Sequence, residues 1–317
     1  MKVLMYLTKN SKIFIAGHKG MVGSSVLRLL NKKGYKRLFT VDRSKVDFTN
    51  QTQTKNYLNK IKPNFVVIAA AKVGGILANQ NYKADFIYQN LMIQTNLIHS
   101  SYLAGVKKLI FLGSSCIYPK YSKQPIKESE LLTGKLEETN DAYAIAKIAG
   151  LKMCEAYNSQ YKLNYICLMP TNLYGPNDNY NLKSSHFFPA LILKIYDAKI
   201  NNKKTIKIWG NGLAKRELMH VDDLSRACEY FLKKRTKHSL INIGSGHEDT
   251  ITSYAKFISK KLNVKLKFIY DSKKPIGTPR KKVDSNLSKS YGWKPTISLS
   301  KGFDITFKDF LTKYNYT

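Results

Sequence analysis

An apolar run near the start of the chain ends in three evenly spaced glycines, and this feature constrains the fold more than any other. Residues 12–16, Lys-Ile-Phe-Ile-Ala, are typical of a buried strand. Gly17, Gly20 and Gly23 follow at once and lead into an amphipathic helix that extends through about Lys33. The first glycine permits a tight turn, the second lets the backbone approach a pyrophosphate, and the third lets helix and strand pack closely. This order of strand, glycine loop and helix predicts a dinucleotide site.

Strand and helix patterns continue to alternate along the chain. The predicted elements are strand 37–41, helix 52–60, strand 65–69, helix 82–105, strand 108–112, helix 142–160 and strand 164–168, followed later by helix 222–233 and strand 239–243. Repeated strand–helix units form a parallel sheet with helices on both faces. We therefore predict an α/β fold, a Rossmann-like doubly wound parallel sheet.

The pattern changes after Pro170, where loops that contain Asn, Pro and Gly separate short apolar runs. We expect a smaller C-terminal α/β region there that binds substrate. The predicted division assigns residues 11–174 and the returning segment 217–247 to the NADP-binding Rossmann domain, and residues 175–216 and 248–317 to the substrate-binding domain.

The charge balance of the 317-residue chain is strongly basic, with 53 Lys and Arg against 21 Asp and Glu and a formal net charge of +32. Clustered basic charge is typical of proteins that bind nucleic acid. Here, however, the lysine pairs are dispersed along the whole chain, without a basic tail or an RNA-binding signature. We therefore favour an anionic small-molecule substrate over a nucleic acid.

Apolar segments and cysteines exclude further classes of protein. No apolar stretch reaches the roughly 18 residues that a membrane-spanning helix requires, so we expect no membrane partner and a cytoplasmic location. The four cysteines, Cys116, Cys154, Cys167 and Cys228, contain no C-x-x-C pair. We expect reduced thiols and no metal site.

Residues after the second predicted strand leave the choice of nicotinamide coenzyme open. Asp42 stands where an acidic side chain binds the 2′-hydroxyl of NAD, whereas its neighbour Arg43 suits the 2′-phosphate of NADP. Asp47, further along, suits either a contact to the adenine ring or the N-cap of the helix that contains Thr52.

A tyrosine and a lysine are spaced four residues apart in the predicted helix 142–160. Tyr143 and Lys147 therefore lie on one face of that helix. An ammonium near a phenol favours the phenolate, which would lower the tyrosine pKa from about 10 toward the range of an acid/base catalyst. Ser114 and Ser115 end the preceding strand, where a hydroxyl could bond a substrate carbonyl. Serine, tyrosine and lysine beside a nicotinamide predict a carbonyl reductase.

Five blocks of sequence together resemble a known family. They are residues 16–23, 70–76, 112–119, 143–147 and 170–176. The pair formed by Ser-Ser-Cys-Ile-Tyr-Pro at 114–119 and Ala-Ala-Lys-Val-Gly-Gly-Ile at 70–76 is far more specific than a glycine loop or a Tyr-x-x-x-Lys motif. From about Lys12 to its C-terminus the chain resembles the extended short-chain dehydrogenase/reductases, and within them the enzymes that epimerise and reduce GDP-4-keto sugars.

The resemblance implies conversion of GDP-4-keto-6-deoxy-D-mannose to GDP-L-fucose, by epimerisation at C3 and C5 and NADPH-dependent reduction of the C4 ketone. By the same resemblance, Ser114, Tyr143 and Lys147 match the reductase triad. Cys116 and His186 match the acid/base pair for epimerisation, with Cys116 as the base. This chemistry is consistent, because a C4 ketone acidifies the protons at C3 and C5, and free Cys and His titrate near neutrality, at about 8.5 and 6.5.

Binding residues are also implied by the resemblance. The coenzyme would be NADP(H), with NAD(H) as the second candidate. The matching cofactor positions are Gly17, Lys19, Gly20, Met21, Val22, Gly23, Asp42, Arg43, Ala70, Tyr143, Lys147, Pro170, Asn172, Leu173 and His186. The matching substrate positions are Lys194, Trp209, Arg216 and Lys281. Lysine replaces the family's arginine at positions 19 and 194, which keeps the charge but not the bidentate geometry. A turn before Arg280 could present both Arg280 and Lys281 to a diphosphate.

Relatives of this fold pair through two long helices per subunit, so the resemblance implies a homodimer through helices 82–105 and 142–160. Two other functions remain open. One is a related enzyme acting on another GDP-4-keto-deoxy sugar, of the GDP-colitose or 6-deoxy-heptose type. The other is a non-catalytic basic scaffold that binds nucleic acid, which the five intact catalytic positions argue against.

Overall fold

The structure is a computed structural model and describes residues 6–274 and 277–314. Its strands are β1 (Lys12–Ala16), β2 (Arg37–Phe39), β3 (Phe65–Ile68), β4 (Lys108–Leu112), β5 (Asn164–Pro170), β6 (Asn172–Tyr174), β7 (Thr205–Trp209), β8 (Lys215–His220), β9 (Leu240–Ile243), β10 (Glu248–Thr250), β11 (Lys267–Asp271) and β12 (Arg280–Lys281). Its α-helices are α1 (Met21–Lys32), α2 (Gln51–Ile61), α3 (Ile76–Asn81), α4 (Lys83–Leu103), α5 (Asp141–Tyr161), α6 (Phe187–Ile200), α7 (Val221–Lys233), α8 (Ile251–Lys261), α9 (Asn286–Ser290) and α10 (Leu299–Lys313). Two short 3₁₀ helices span Ser115–Ile117 and Glu128–Glu130.

The central sheet has six strands in the order β2-β1-β3-β4-β5-β9, and every neighbouring pair is parallel. Successive side chains of a strand point to opposite faces. Accordingly, Ile13 and Ile15 pack into the core on one face of the sheet, and Phe14 and Ala16 into the core on the other. Helices α2, α4 and α5 lie on the second face, and α1 and α7 on the first. The predicted doubly wound α/β fold is confirmed.

A smaller sheet surrounds β8, which pairs with β6 and β12 in parallel and with β10 in antiparallel orientation. A separate parallel pair joins β7 and β11. Helices α6, α8 and α10 supply a third core that is rich in aromatic side chains, including Phe188, Tyr254, Phe303 and Phe310. The sequence patterns did not predict these elements individually.

Element boundaries differ from the predictions at a few points. The predicted helix 82–105 corresponds to α4, the short helix α3 before it was not predicted, and β2 ends at Phe39. The N-cap of α2 is Asn50, whose Oδ1 accepts a hydrogen bond from Gln53 N at 3.0 Å. The carboxylate of Asp47 instead accepts from Thr49 N, so Asp47 as the helix N-cap is wrong. Within the two described ranges, no helix has both the length and the apolar character needed to cross a membrane.

Candidate active site

Four neighbouring strands place predicted site residues along one edge of the central sheet. Gly17 follows β1, Ala70 comes after β3, Ser114 comes after β4, and Pro170 ends β5. The strand order reverses direction between β1 and β3, since β2 lies on one side and the later strands on the other. In parallel sheets, the crevice outside the carboxyl ends at this point is where nucleotides bind.

Two of the three loop glycines stand where no side chain fits. Gly17 has a φ of 86°, in the left-handed region, and a Cβ there would lie 2.6 Å from Ala70 N. A Cβ on Gly23 would lie 2.1 Å from the carbonyl oxygen of Gly17. At Gly20, the N-cap of α1, the nearest contact would be an ordinary 3.5 Å. The loop therefore packs α1 tightly on the sheet and presents its N-terminus, including Met21 and Val22, to a phosphate.

Asp42 is surrounded by positive charge. Its Oδ1 lies 2.8 Å from Lys19 Nζ and 3.3 Å from His18 Nε2. The hydrogen bond from Lys19 lowers the pKa of Asp42. The neighbouring Arg43 is exposed, and its guanidinium lies 3.8 Å from Asp47. The carboxylate that would favour NAD is thus balanced by cations, and Lys19 and Arg43 are exposed beside it.

A tight turn after β4 brings Ser114 and Cys116 to the same side. Ser114 is the N-cap of the 3₁₀ helix Ser115–Ile117, and its Oγ accepts a hydrogen bond from Cys116 N at 3.3 Å. A serine before such a turn satisfies a backbone donor that would otherwise lack a partner. The turn therefore directs the hydroxyl and the thiol toward one cavity.

The reductase pair lies on α5, one turn apart as predicted. Lys147 is buried, donates a hydrogen bond to Leu112 O at 2.9 Å, and has its Nζ 5.7 Å from the centre of the Tyr143 ring. Burial lowers the pKa of Lys147 to about 8. Phe86 packs edge-to-face on Tyr143, with 6.3 Å between ring centres. The lysine thus ties the catalytic helix to the end of β4.

The expectation that Lys147 lowers the pKa of Tyr143 is wrong in this structure. Burial raises that pKa, and negative charge on nearby Cys116 raises it further. The ammonium of Lys147 is directed to a backbone carbonyl rather than to the phenol oxygen. Tyr143 is therefore a neutral phenol at neutral pH, able to donate a proton.

Cys116 has a different electrostatic environment from the other cysteines. Its sulfur accepts hydrogen bonds from Lys281 Nζ at 3.1 Å and from Asn140 Nδ2 at 3.4 Å. Burial alone would raise the pKa of this thiol, but the charge of Lys281, the hydrogen bonds from Ser114 and Lys281 and the charge of Arg216 outweigh it, so the pKa is lowered. All four cysteines are free thiols.

His186 immediately precedes α6 and its side chain lines the same cavity. His186 is an exposed residue, yet loss of hydration around its ring disfavours the charged form and the ammonium of Lys281 adds to the effect, so the pKa of His186 is lowered. The imidazole is therefore mainly neutral at neutral pH.

A cavity of about 400 Å³ collects most of the predicted catalytic and substrate-binding residues. Those that line it are Ser114, Cys116, Tyr143, Asn172, His186, Lys194, Trp209, Arg216 and Lys281. The glycine loop, Asp42, Arg43, Ala70, Lys147, Pro170 and Leu173 are not part of this lining. The glycine loop and the cavity are therefore two separate parts of the predicted site. Three residues that were predicted to bind the coenzyme, Tyr143, Asn172 and His186, line the cavity.

The predicted substrate residues offer cations and an aromatic surface. Lys194 Nζ lies 5.7 Å from the centre of the Trp209 ring and donates to Lys207 O at 3.0 Å. Arg216 is buried at the cavity wall, where burial lowers its pKa to about 10. A guanidinium with that pKa is still charged at neutral pH, so an anion in the cavity would meet at least one buried positive charge.

One expectation about this wall is wrong. Arg280 does not face the cavity together with Lys281, because its Nε donates to both carboxylate oxygens of Glu248, at 3.1 and 2.9 Å. Successive residues of a strand point to opposite sides, and both residues belong to β12. Of these two residues, Lys281 lines the cavity and Arg280 does not.

A buried carboxylate behind the wall joins three segments. Glu217, on β8, accepts hydrogen bonds from Gly246 N at 2.6 Å and from Val283 N at 2.9 Å. Its own carbonyl accepts from Asn172 Nδ2 at 3.1 Å. Glu217 directly follows Arg216, and Val283 comes two residues after Lys281, so this carboxylate links the two cationic positions.

Sequence reasoning missed several polar residues of the cavity. Asn79, Thr139, Asn140 and Ser185 line it, and each has a buried side-chain oxygen without a hydrogen-bond partner among the residues that the structure describes. Buried oxygens of this kind are rare unless a ligand or water satisfies them. For Thr139 and Asn140 a signal existed, because helix N-termini favour such residues. No local pattern marked Asn79 or Ser185.

Comparison with known proteins shows the family to which this chain belongs. Over 96% of this chain and 93% of the relative, the chain is 50% identical to the putative GDP-L-fucose synthase 2 of Arabidopsis thaliana. It is 45% identical to the GDP-L-fucose synthase of Escherichia coli, over 95% of this chain and 96% of the relative. A GDP-L-colitose synthase of Yersinia pseudotuberculosis is 39% identical, over 96% and 99% of the two chains.

Solved structures and a family profile agree with these relatives. The GDP-mannoheptose C4 reductase of Campylobacter jejuni, solved with NADP bound, has a TM-score of 0.89 and 36% identity, covering 96% of this chain and 99% of that one. Residues 13–244 match the family described as NAD dependent epimerase/dehydratase. The chain therefore belongs to the NAD dependent epimerase/dehydratase family, together with the GDP-L-fucose synthases to which it is similar over nearly its whole length.

Proposed function

We propose that this protein converts GDP-4-keto-6-deoxy-D-mannose to GDP-L-fucose, by epimerising C3 and C5 and then reducing the C4 ketone with NADPH. One observation carries the proposal. A thiol and an imidazole suited to proton exchange, Cys116 and His186, line the same cavity as the hydroxyls of Ser114 and Tyr143. A single bound ketone can therefore undergo both half-reactions without leaving the site.

The glycine loop fits NADP(H), which supplies a hydride to the ketone carbon when bound. Backbone N–H groups at the start of α1 would donate hydrogen bonds to the pyrophosphate. Lys19 and Arg43 suit the 2′-phosphate, and the ion pair of Lys19 with Asp42 offsets the carboxylate that would repel it. NAD(H), which lacks that phosphate, gains nothing from these cations.

Epimerisation follows from the protonation states in the cavity. The thiolate of Cys116 removes a proton from C3 or C5: the C–H bond breaks, an S–H bond forms, and the electron pair moves toward the C4 oxygen. Hydroxyl groups of Ser114 and Tyr143 stabilise the resulting enolate oxygen. Protonated His186 returns a proton to the opposite face. Loss of hydration lowers the pKa of His186 and the charge of Lys281 lowers it further, so a diphosphate that neutralises Lys281 would remove the second effect and favour the acid form.

Reduction uses the neutral phenol. Tyr143 stays protonated because burial raises its pKa, and it donates its proton to the C4 oxygen as the carbon is reduced. Lys147, anchored on Leu112 O, holds the helix that carries the phenol.

The cavity wall suits a nucleotide sugar. Arg216, Lys281 and Lys194 line one cavity and would neutralise a diphosphate. Asn79 and Ser185 offer buried oxygens that are unpaired within residues 6–274 and 277–314 and suit sugar hydroxyls.

We further propose a cytoplasmic homodimer that pairs through α4 and α5. Both helices carry exposed large apolar side chains, Tyr88 and Leu103 on α4, and Ile145 and Tyr161 on α5. A second copy of the same helices would cover them.

For the domain organisation, we propose a Rossmann unit of residues 11–174 and 217–247 and a substrate unit of residues 175–216 and 248–317. The return of α7 and β9 to the central sheet supports this division. Its boundary at residue 217 falls within β8, whose first half pairs with β10 and β12 and whose second half pairs with β6.

The test is turnover in D₂O with GDP-4-keto-6-deoxy-D-mannose and NADPH. We expect NADPH oxidation and a GDP-L-fucose product that carries deuterium at C3 and C5, detected by NMR. Reduction without deuterium at either carbon would refute the epimerase half. A higher kcat/KM with a GDP-4-keto-3,6-dideoxy sugar or a GDP-4-keto-heptose would favour the related enzymes instead.

A further inference from the structure

Two donors from distant parts of the chain meet at one sulfur. Lys281, on β12, and Asn140, the residue before α5, both donate hydrogen bonds to Cys116 Sγ, at 3.1 and 3.4 Å. Lys281 is 165 positions from Cys116 in sequence, and Asn140 is 24 positions away. Such convergence on a thiol is a property of the folded site, since no local pattern produces it.

The orientation of the Asn140 amide indicates what form of sulfur it faces. An asparagine amide has one donor end and one acceptor end. The donor end faces Cys116, whereas Oδ1 is buried and has no hydrogen-bond partner among the described residues. A protonated thiol would favour the reversed amide orientation, because the amide oxygen could then accept a hydrogen bond from the S–H group. Lys281 has only donors, so both neighbours match a sulfur that only accepts.

Charged and titratable groups face this sulfur from each surrounding element. Lys281 approaches from β12 and Arg216 from β8, and both are cationic. Tyr143 on α5 is a neutral phenol, and His186 before α6 is mainly neutral. The carboxylate of Glu137 also lines the cavity, but it is paired with Lys120 at 3.1 Å. The sum around Cys116 is positive, which stabilises a thiolate.

We propose that Asn140 and Lys281 are positioning residues for the epimerisation base, which hold the Cys116 sulfur as a thiolate and direct it into the cavity. The role in catalysis rests on the proposed function, but the state of the sulfur does not. Lys281 is also placed to meet a substrate diphosphate. Asn140 then supplies a donor that remains on the sulfur when the ammonium turns toward the phosphate.

The first experiment measures the sulfur directly in the full-length protein. Alkylation of Cys116 by iodoacetamide is followed against pH by mass spectrometry, with the buried Cys154, Cys167 and Cys228 as internal references. Thiolates react and thiols do not, so a lowered pKa makes the rate rise at lower pH than the value of about 8.5 for free cysteine.

Variants then separate the two donors. Lys281→Met should move the midpoint of alkylation upward by about one pH unit or more, a tenfold loss of thiolate at a given pH below it. Lys281→Arg should restore it in large part. Asn140→Ala should move it upward by less. The Asn140 side chain makes no capping hydrogen bond on α5, so this variant leaves the helix start intact. Lys282→Met removes the same charge at the next position and should leave the midpoint unchanged.

The second experiment connects the sulfur to the reaction. With the GDP-4-keto sugar in D₂O, Lys281→Met should exchange deuterium about tenfold more slowly than the wild type at neutral pH, and Asn140→Ala more slowly by a smaller factor. Both should approach the wild type at high pH, where any cysteine is ionised. Unchanged alkylation midpoints in both variants would overturn the inference, whatever the enzyme does. Shifted midpoints in a protein that exchanges no deuterium with any GDP-keto sugar would support the state of the sulfur and refute the proposed function instead.

Discussion

Burial and loss of hydration decide the protonation of several side chains in and beside this cavity. Burial raises the pKa of Tyr143 and lowers that of Lys147 to about 8, and loss of hydration lowers the pKa of the exposed His186. Cys116 is the exception, because cations and hydrogen bonds outweigh the effect of burial and lower its pKa. One site thus holds a proton donor, Tyr143, and a proton acceptor, Cys116, at the same pH.

Replacing Tyr143 by phenylalanine tests the proton donor. Removal of a general acid costs typically 100-fold or more, so Tyr143→Phe should lower NADPH oxidation by roughly 100-fold. Deuterium exchange at C3 and C5 should persist at a reduced rate, since Cys116 and His186 remain. Tyr121→Phe, at an exposed position, is the control. NADPH oxidation at the wild-type rate in Tyr143→Phe would contradict the mechanism.

At the scale of elements, the join between β1 and α1 depends on close backbone approach. Gly23 packs against the carbonyl of Gly17, whereas Gly20 has space for a Cβ atom. We therefore expect stability and coenzyme binding to be separable within one loop, since Gly23 is required for packing and Gly20 leaves room for a phosphate.

Alanine substitutions distinguish these two roles. Gly23→Ala would force a Cβ to within 2.1 Å of a carbonyl oxygen, so the free energy of unfolding should fall by about 1–3 kcal/mol. Gly20→Ala should change it by less than about 1 kcal/mol but weaken NADPH binding. Urea denaturation and fluorescence titration with NADPH measure the two effects. Equal losses of stability in both variants would argue against the division.

Local spacing explains what could be predicted about these elements. The glycines of the loop recur every three residues, and Tyr143 and Lys147 are four residues apart on one helix. Because such short spacings fix the relative positions of the residues locally, the sequence alone predicts them. No local pattern marks Asn79 and Ser185 as cavity residues, because only the folded chain brings them to the cavity. The contact of Lys281 with Cys116 spans 165 positions. The pKa of Tyr143 was predicted in the wrong direction because burial is a property of the whole fold.

Across the whole molecule, exposed apolar side chains on α4 and α5 contrast with a surface of net charge +32. Repulsion between like-charged copies opposes association, so a dimer must bury apolar area to form. Tyr102 and Tyr161 already stack across the two helices, with 4.1 Å between ring centres, so aromatic rings join the C-terminal ends of α4 and α5.

Substitution on this face tests the dimer. Ile145 is 47% exposed on α5, and Ile145→Glu would place a charge in the proposed interface. We expect the wild type to have twice the chain mass of 36.2 kDa by light scattering and the variant to be largely monomeric. Tyr121→Glu, at a side chain that is 79% exposed elsewhere, should remain dimeric. A wild type that is monomeric at all concentrations would rule out this interface.

The buried carboxylate of Glu217 has a consequence for how the substrate is received. By holding the backbone at Gly246 and Val283, it fixes Arg216 and Lys281 relative to each other before any anion arrives. Because these two cations are already ordered, they lose little conformational entropy when an anion binds, and no closing motion is needed to bring them together. The same rigidity sets one spacing between the cations Arg216 and Lys281 and the sulfur of Cys116, so we expect this cavity to select a ligand by its length as well as by its charge.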